Sequence, residues 1–183
     1  MLHLFLEEHS MTLFLRGAIK RIRPNAIEGL DYTFNAYNGK RDLMYNCPKQ
    51  VIGILRSQKN KVIILVDQDD DDCRILKEEL RDSLKKGSQE RYRVRIVCRE
   101  LESWYIGDWL GLKGLYPALT TLKHADLIAP DSIIKPSQIL RKMDSSFKKT
   151  EAARRCGSSL LIDSQNKSYS WQMARNAIEE MLL

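Results

Sequence analysis

Residues 61–73 read KVIILVDQDDDDC, and this stretch decides the fold. Val62 to Val66 are apolar without a break and rich in β-branched residues. Such a run predicts a strand buried on both faces, as in a parallel sheet covered by helices. The acidic residues Asp67 to Asp72 end it abruptly. A helix is predicted from about Cys73 to Lys86, with Ile75, Leu76, Leu80 and Leu84 inward and Gly87 as its stop.

Working outward, Leu2 to Leu6 form a second compact apolar run and a second predicted strand, followed by Glu7 and Glu8. Ser10 is a candidate cap for a helix carrying Leu13, Phe14, Ala18, Ile19 and Ile22, ended by Pro24. Tyr32 to Tyr37 read as a strand leading into an Asn38-Gly39 turn. The helix carrying Val51, Ile52 and Leu55 has an open start, because Pro48 interrupts the run. Tyr92, Val94, Ile96 and Cys98 alternate with Arg93, Arg95, Val97 and Arg99, which is strand periodicity. From Gly111 onward helix and loop alternate, broken at Pro117, Pro130 and Pro136. Ser137 is a candidate cap for a helix through Met143. Ser168 or Ser170 is one for the last helix, with Trp171, Ala174, Ile178 and Met181 inward. The alternation predicts an α/β fold with a mainly parallel, Rossmann-like sheet covered by helices. The expected organisation is a single domain, with residues 1–110 as α/β core and 111–183 as a mostly helical extension.

Composition narrows the partners. The 183 residues are 43% hydrophobic and 30% charged, an ordinary globular balance. Thirty Lys and Arg against 24 Asp and Glu leave a net charge of +6, compatible with nucleic acid but not diagnostic of it. No apolar run approaches the roughly 18 residues of a membrane span, and MLHLFLEEHS turns acidic too soon for a secretory signal. A cytoplasmic protein is expected. Cys47, Cys73, Cys98 and Cys156 form no CxxC pair, and His3, His9 and His124 are scattered. That pattern fits reduced thiols and no zinc site.

The chemistry lies where strands stop. Three predicted strands run into carboxylates: Glu7 and Glu8, then Asp67 and Asp69, then Glu100 and Glu102. In an open α/β sheet the functional crevice lies beyond the carboxyl ends of the strands. If these strands are parallel neighbours, the acids converge there. Clustered carboxylates repel one another, and a hard divalent cation, Mg2+ or Mn2+, relieves that repulsion. Such ions activate water and stabilise charge on a phosphoryl oxygen. Asp70, Asp71 and Asp72 instead suit solvent or the start of the next helix. An EF-hand is excluded by Asp72 at its glycine position and by the preceding strand. Receiver-domain and aspartyl-phosphatase readings lack their further motifs.

Four blocks in this order resemble a known fold family: LFLEEHS around Glu7, IILVDQDDDDC around Asp67 and Asp69, RELESWYIGD from Arg99 to Asp108, and SFKKTEAARRC from Ser146 to Cys156. Together they resemble a Toprim-like bacterial domain family of unknown function, related to the Toprim domains of overcoming-lysogenization-defect (OLD) nucleases. The resemblance covers nearly the whole chain. It implies Glu7 as general acid/base or metal ligand and Asp67 and Asp69 as metal ligands. Glu100 or Glu102, with Glu100 favoured as closer to the strand, would complete a second metal position. Lys149, or Lys148, would steady charge on the cleaved phosphate. Two positions depart from the pattern. Glu8 stands where the motif has Gly, and Met11 where a further acid often occurs.

The implied activity is a metal-dependent nuclease in anti-phage defence, working with a separate ATPase, because the chain has no GxxxxGK[ST] signature. DNA is favoured over RNA as the nucleic acid, and a homo-oligomer is compatible with the sequence. The alternative is a non-catalytic Toprim-like module that binds an ATPase or nucleic acid. Trp104 and Trp171 are expected in the core. Arg93, Arg95 and Arg99 are expected to share one strand face as a basic stripe beside the acids, with Lys148, Lys149, Arg154 and Arg155 as a second basic group.

Overall fold

The computed structural model describes residues 1–84, 90–163 and 165–183. The deciding stretch forms a strand, β3 (Lys61–Asp67), buried from Val62 onward. It pairs with β1 (Leu2–Leu6) on one side and β4 (Tyr92–Val97) on the other, and β2 (Tyr32–Ala36) lies outside β1. Among the described residues the sheet has four strands, all parallel, in the order β2-β1-β3-β4. The expected parallel α/β architecture is therefore the observed one. In the register, Leu6 faces Leu65 and Asp67 faces Val97, so the three acidic strand exits leave the sheet on one edge.

Side-chain alternation sends each strand's residues to two apolar layers. Phe5, Val62, Ile64, Val66, Tyr92 and Val94 pack beneath α2 (Lys40–Ile54) and α3 (Cys73–Asp82). Leu2, Leu4, Leu6, Ile63 and Leu65 face the larger cluster. That cluster is covered by α1 (His9–Ile22), α4 (Glu102–Ile106), α5 (Trp109–Leu115), α8 (Lys149–Ser159) and α9 (Tyr169–Met181). Shorter pieces fill the intervening chain: α6 (His124–Ile128), a 3-10 turn at Pro130–Ser132, and α7 (Pro136–Met143). Trp104 and Trp171 are core residues, their rings 5.0 Å apart, and the Trp104 indole donates to Ser170 Oγ at 2.8 Å. No described helix is long and apolar enough to cross a membrane.

Several local expectations change. Helix α2 starts at Lys40 and runs through Pro48. Burial of Leu43, Cys47 and Val51 at four-residue spacing holds it despite the missing proline N–H. Ile75 is 57% exposed, not inward, because the buried stripe of α3 is Leu76 and Leu80, continued by Leu84, and Ile75 lies about 100° off it. Helix α3 ends at Asp82, and the expected stop at Gly87 lies outside the described residues. Ser10 does not cap α1, since its hydroxyl donates to the Glu8 carboxylate. Ser137 sits inside the first turn of α7, while Lys135 holds the cap position. Ser168 does cap α9, accepting from the Trp171 N–H at 3.1 Å.

Helices α1 and α8 approach closely through Gly17 and Gly157. A Cβ on Gly157 would lie 2.1 Å from the Phe14 carbonyl oxygen, where backbone must move. Gly157→Ala is expected to cost about 1–3 kcal/mol. It should also loosen the Lys149–Glu8 pair, which spans the starts of the same two helices. A thermal melt checks the first effect, and the NMR shift of the Lys149 ammonium the second.

Candidate functional site

Each strand exit is shaped by its own backbone. After β1, the Glu7 N–H donates to the Leu65 carbonyl at 3.1 Å, and the Glu7 carbonyl accepts from Gly39 at 2.9 Å. Gly39, at φ 99°, makes the turn that starts α2 beside this edge. After β3, Asp69 turns the chain in a left-handed conformation, at φ 53°. Gln68 laces this turn to the next exit: its N–H donates to the Val97 carbonyl at 2.8 Å, and its side-chain oxygen accepts from the Arg99 N–H at 3.2 Å. Asp72 then caps α3, accepting from the N–H groups of Arg74 and Ile75 at 2.8 and 3.2 Å. This gives the end of the acidic run its expected helix-start role.

The acids divide into an inner and an outer group. Glu7, Asp67 and Glu102 are buried, at 8%, 5% and 2% exposure. The Asp67 N–H donates to Glu7 Oε2 at 2.9 Å. Burial, followed by the charges of Glu7, Glu8, Glu102 and Asp69, raises the Asp67 carboxyl well above its usual range. Burial, aided by Asp69 and Glu8, pushes Glu7 up to about 7 against the opposing pull of the Asp67 N–H and Lys40. Burial likewise takes Glu102 to about 7, with Lys149 opposing and Glu100 and Glu8 assisting. Asp67 Oδ1 is buried without a hydrogen-bond partner among the described residues.

The outer acids have partners. Glu8 pairs with Lys149 at 2.5 Å, and Asp69 with Lys40 at 2.9 Å, the same lysine reaching Asp71 at 2.7 Å. Burial works against the charge of Lys149, but Glu8, Glu102 and Asp67 outweigh it and raise its pKa. Glu100 accepts from the Ser137 N–H at 2.9 Å and so closes the start of α7. It lines a cavity of about 180 Å³ with Asp69, Asp70, Arg99 and Lys135. Thus Glu102, rather than the strand-proximal Glu100, stands with Glu7 and Asp67. The reason is local: Glu102 opens α4, and its helix turns it inward.

Among the described residues, no group of three or more His, Cys, Asp or Glu is arranged to hold a metal ion. The inner groups are all carboxylates, the oxygen donors that hard divalent cations take. The inner set offers only carboxylate oxygens, one of them orphaned, and their shared burial raises all three pKa values. Lys40 and Lys149 supply the positive charge on the rim.

Other expected site residues separate. Arg93 pairs with Glu180 at 2.5 Å and the Arg95 Nε donates to the Met173 carbonyl at 3.0 Å, both toward α9. Arg99 leaves their strand face at φ 61°, so the three do not form one stripe beside the acids. Arg155 stacks on Tyr116, 4.5 Å from the ring centroid, and Arg154 pairs with Glu151, which separates both from Lys149. Met11 is fully packed in the core. Lys40 and Lys135 escaped the sequence reading. The only signal for Lys40 was its place after the Asn38-Gly39 turn, and Lys135 had none.

Two solved structures share the fold across nearly their full length. The C-terminal region of the Burkholderia pseudomallei OLD protein matches with a TM-score of 0.59 at 14% identity, over 100% of this chain and 98% of that one. The C-terminal region of the Xanthomonas campestris pv. campestris OLD protein matches at 0.53 and 16%, over 98% and 95%. No curated protein matches the sequence. The family model for a domain of unknown function, DUF4276, matches residues 6–170. That span takes in all three acidic strand exits and Lys149, and the chain belongs to the DUF4276 family.

Proposed function

We propose that the protein is a divalent-metal-dependent nuclease that hydrolyses phosphodiester bonds. The observation that carries this reading is the buried carboxylate set around Asp67, one of whose oxygens has no hydrogen-bond partner among the described residues. A fold used for unrelated chemistries does not decide the matter. What supports the reading is the set, because burying Asp67 against the charges of Glu7 and Glu102 has a structural cost that a packed apolar core would avoid.

Glu7, Asp67 and Glu102, with Glu8, would hold Mg2+ or Mn2+, and Asp69 and Glu100 lie beside them. The ion supplies Lewis acidity and a lowered pKa for water. Glu7, poised at about 7, is matched to holding or accepting a proton on its carboxylate near neutral pH. Lys149 places an ammonium beside Glu8 and within the field of Asp67 and Glu102, where it can steady negative charge on a phosphoryl oxygen. The resemblance to OLD nucleases further supports DNA as substrate, a separate ATPase partner, a cytoplasmic setting and a part in phage defence.

One observation favours a second reading, a binding module without catalysis. Glu8 and Asp69 are already neutralised by Lys149 and Lys40, so the rim is complete without an ion. Cleavage separates the two. Labelled supercoiled, linear and single-stranded nucleic acids are incubated with Mg2+ or Mn2+, wild type beside Asp67→Ala. The nuclease reading expects cutting by the wild type and a loss of about a hundredfold or more in the variant, the scale of losing a main electrostatic stabiliser. Cutting that persists unchanged in Asp67→Ala, or none by a wild type supplied with its ATPase, favours the module.

A further inference from the structure

On the outer edge of β4 lies a groove of about 240 Å³, lined by Lys77, Arg81, Arg93 and Arg95 with Tyr92 and Val94. A second, of about 270 Å³, continues it: Lys77 and Arg95 line both, and Arg74, Cys98 and Tyr169 lie along the extension. Among the described residues no carboxylate lines either groove. Cys98 lines the extension, and the next residue, Arg99, lines the cavity that holds Asp69, Glu100 and Lys135.

Protection of an exposed strand edge explains part of this charge. Arg93 donates to the carbonyls of Glu90 and Tyr92 at 3.0 Å, and Arg95 to that of Met173. It does not explain Lys77 and Arg81, which come from α3 at four-residue spacing and form no side-chain hydrogen bond or ion pair among the described residues. Like charges on one helix face repel. Burial, then Arg95 and Arg81, lowers the Lys77 pKa, and burial, then Arg93, lowers that of Arg95. Glu180 pairs with Arg93, whereas the charges of Lys77 and Arg81 have no ion-pair partner among the described residues. Tyr169, 67% exposed at the groove's extension, adds an aromatic face with no described ring neighbour.

We propose that this groove binds the phosphate backbone of a single-stranded nucleic acid, with Tyr169 stacking on a base, and leads the strand past Arg99 to the carboxylates. The direction toward the carboxylates rests on the nuclease reading; the binding does not. Lys and Arg neutralise phosphates, and an exposed aromatic beside them suits unpaired bases.

The test is fluorescence-anisotropy binding of a labelled mixed-sequence single strand in EDTA, where no cleavage is needed. Lys77→Gln/Arg81→Gln should weaken binding about tenfold and make the slope of log K against log salt shallower by roughly 1.4, two contacts at about 0.7 each. Tyr169→Ala should weaken single-strand binding about fivefold or more and leave duplex binding unchanged. Lys20→Gln/Lys49→Gln, two exposed lysines on α1 and α2 outside the groove, controls for net charge. Equal losses in both lysine-bearing pairs, no loss in either groove variant, or equal competition by polyglutamate would overturn the proposal. A wild type that binds in this way yet never cuts with Mg2+ even when supplied with its ATPase refutes the nuclease reading and leaves the groove standing. Asp67-dependent cutting with unaltered binding by the groove variants does the reverse.

Discussion

Without metal, the protein should melt at a lower temperature near pH 8 than near pH 5, and Mn2+ should reverse that order. The sign follows from the raised carboxyls. Glu7 and Glu102 have folded pKa values of about 7 against 4.5 unperturbed. An acid raised by folding contributes stability that is complete below its unfolded pKa and is lost as pH rises through the folded one. Moving one carboxyl from 4.5 to about 7 corresponds to roughly 3 kcal/mol, at 1.36 kcal/mol per tenfold change in proton affinity. Because these acids share one site, their losses are coupled and less than additive. For a chain of this size, about 3 kcal/mol is on the order of 5–10 °C in melting temperature. His3 works in the opposite direction, since burial lowers its pKa and stability returns as pH rises through its unfolded value. The slope is therefore read as the difference between wild type and Glu7→Gln/Glu102→Gln. Added Mn2+ binds the ionised carboxylates, so its stabilisation grows toward high pH. A wild type and a double variant with parallel pH profiles would contradict the raised pKa values.

Asp67→Asn should stabilise the metal-free protein and abolish its stabilisation by Mn2+. These opposite effects come from one atom group. Asp67 is buried among Glu7, Glu8 and Glu102, and one of its oxygens has no partner. A neutral amide of the same shape removes the repulsion and brings donors toward the neighbouring carboxylates. The expected gain at about pH 8 is roughly 1–3 kcal/mol, the cost of an unsatisfied buried polar group. The same change removes a negative ligand, so Mn2+ should no longer raise the melting temperature. A residue whose role is purely structural would lose stability on substitution, with or without metal. Melting curves of both proteins, with Mn2+ and with EDTA, distinguish the cases.

Much of the fold was legible because burial on two faces leaves a strong mark. KVIILV reads as a central strand for the same reason that it becomes one: every residue after Lys61 must meet apolar neighbours. The acidic exits were legible as well, since parallel strands start and stop together. What sequence did not carry was the sorting of the acids. Glu100 and Glu102 differ by two positions, and the left-handed turn at Arg99 decides which enters α4 and turns inward. No residue type announces that turn, because Arg ordinarily avoids positive φ. The same limit applies to Arg93, Arg95 and Arg99, whose period-two spacing predicts one face only while the strand continues. Lys40 reaches Asp71 across 31 residues of chain and Lys149 reaches Glu8 across 141, a proximity that exists only after the sheet has formed.

The most direct test is Mn2+ binding itself, followed by the loss of the free-ion EPR signal on titration at about pH 8. Wild type should bind Mn2+ saturably. Asp67→Asn should not, and Asp82→Asn, an exposed acid on α3, should bind as wild type does. A wild type that leaves the Mn2+ signal undiminished, or an Asp67→Asn protein that binds the ion equally well, would contradict a metal centre at the carboxyl edge of this sheet.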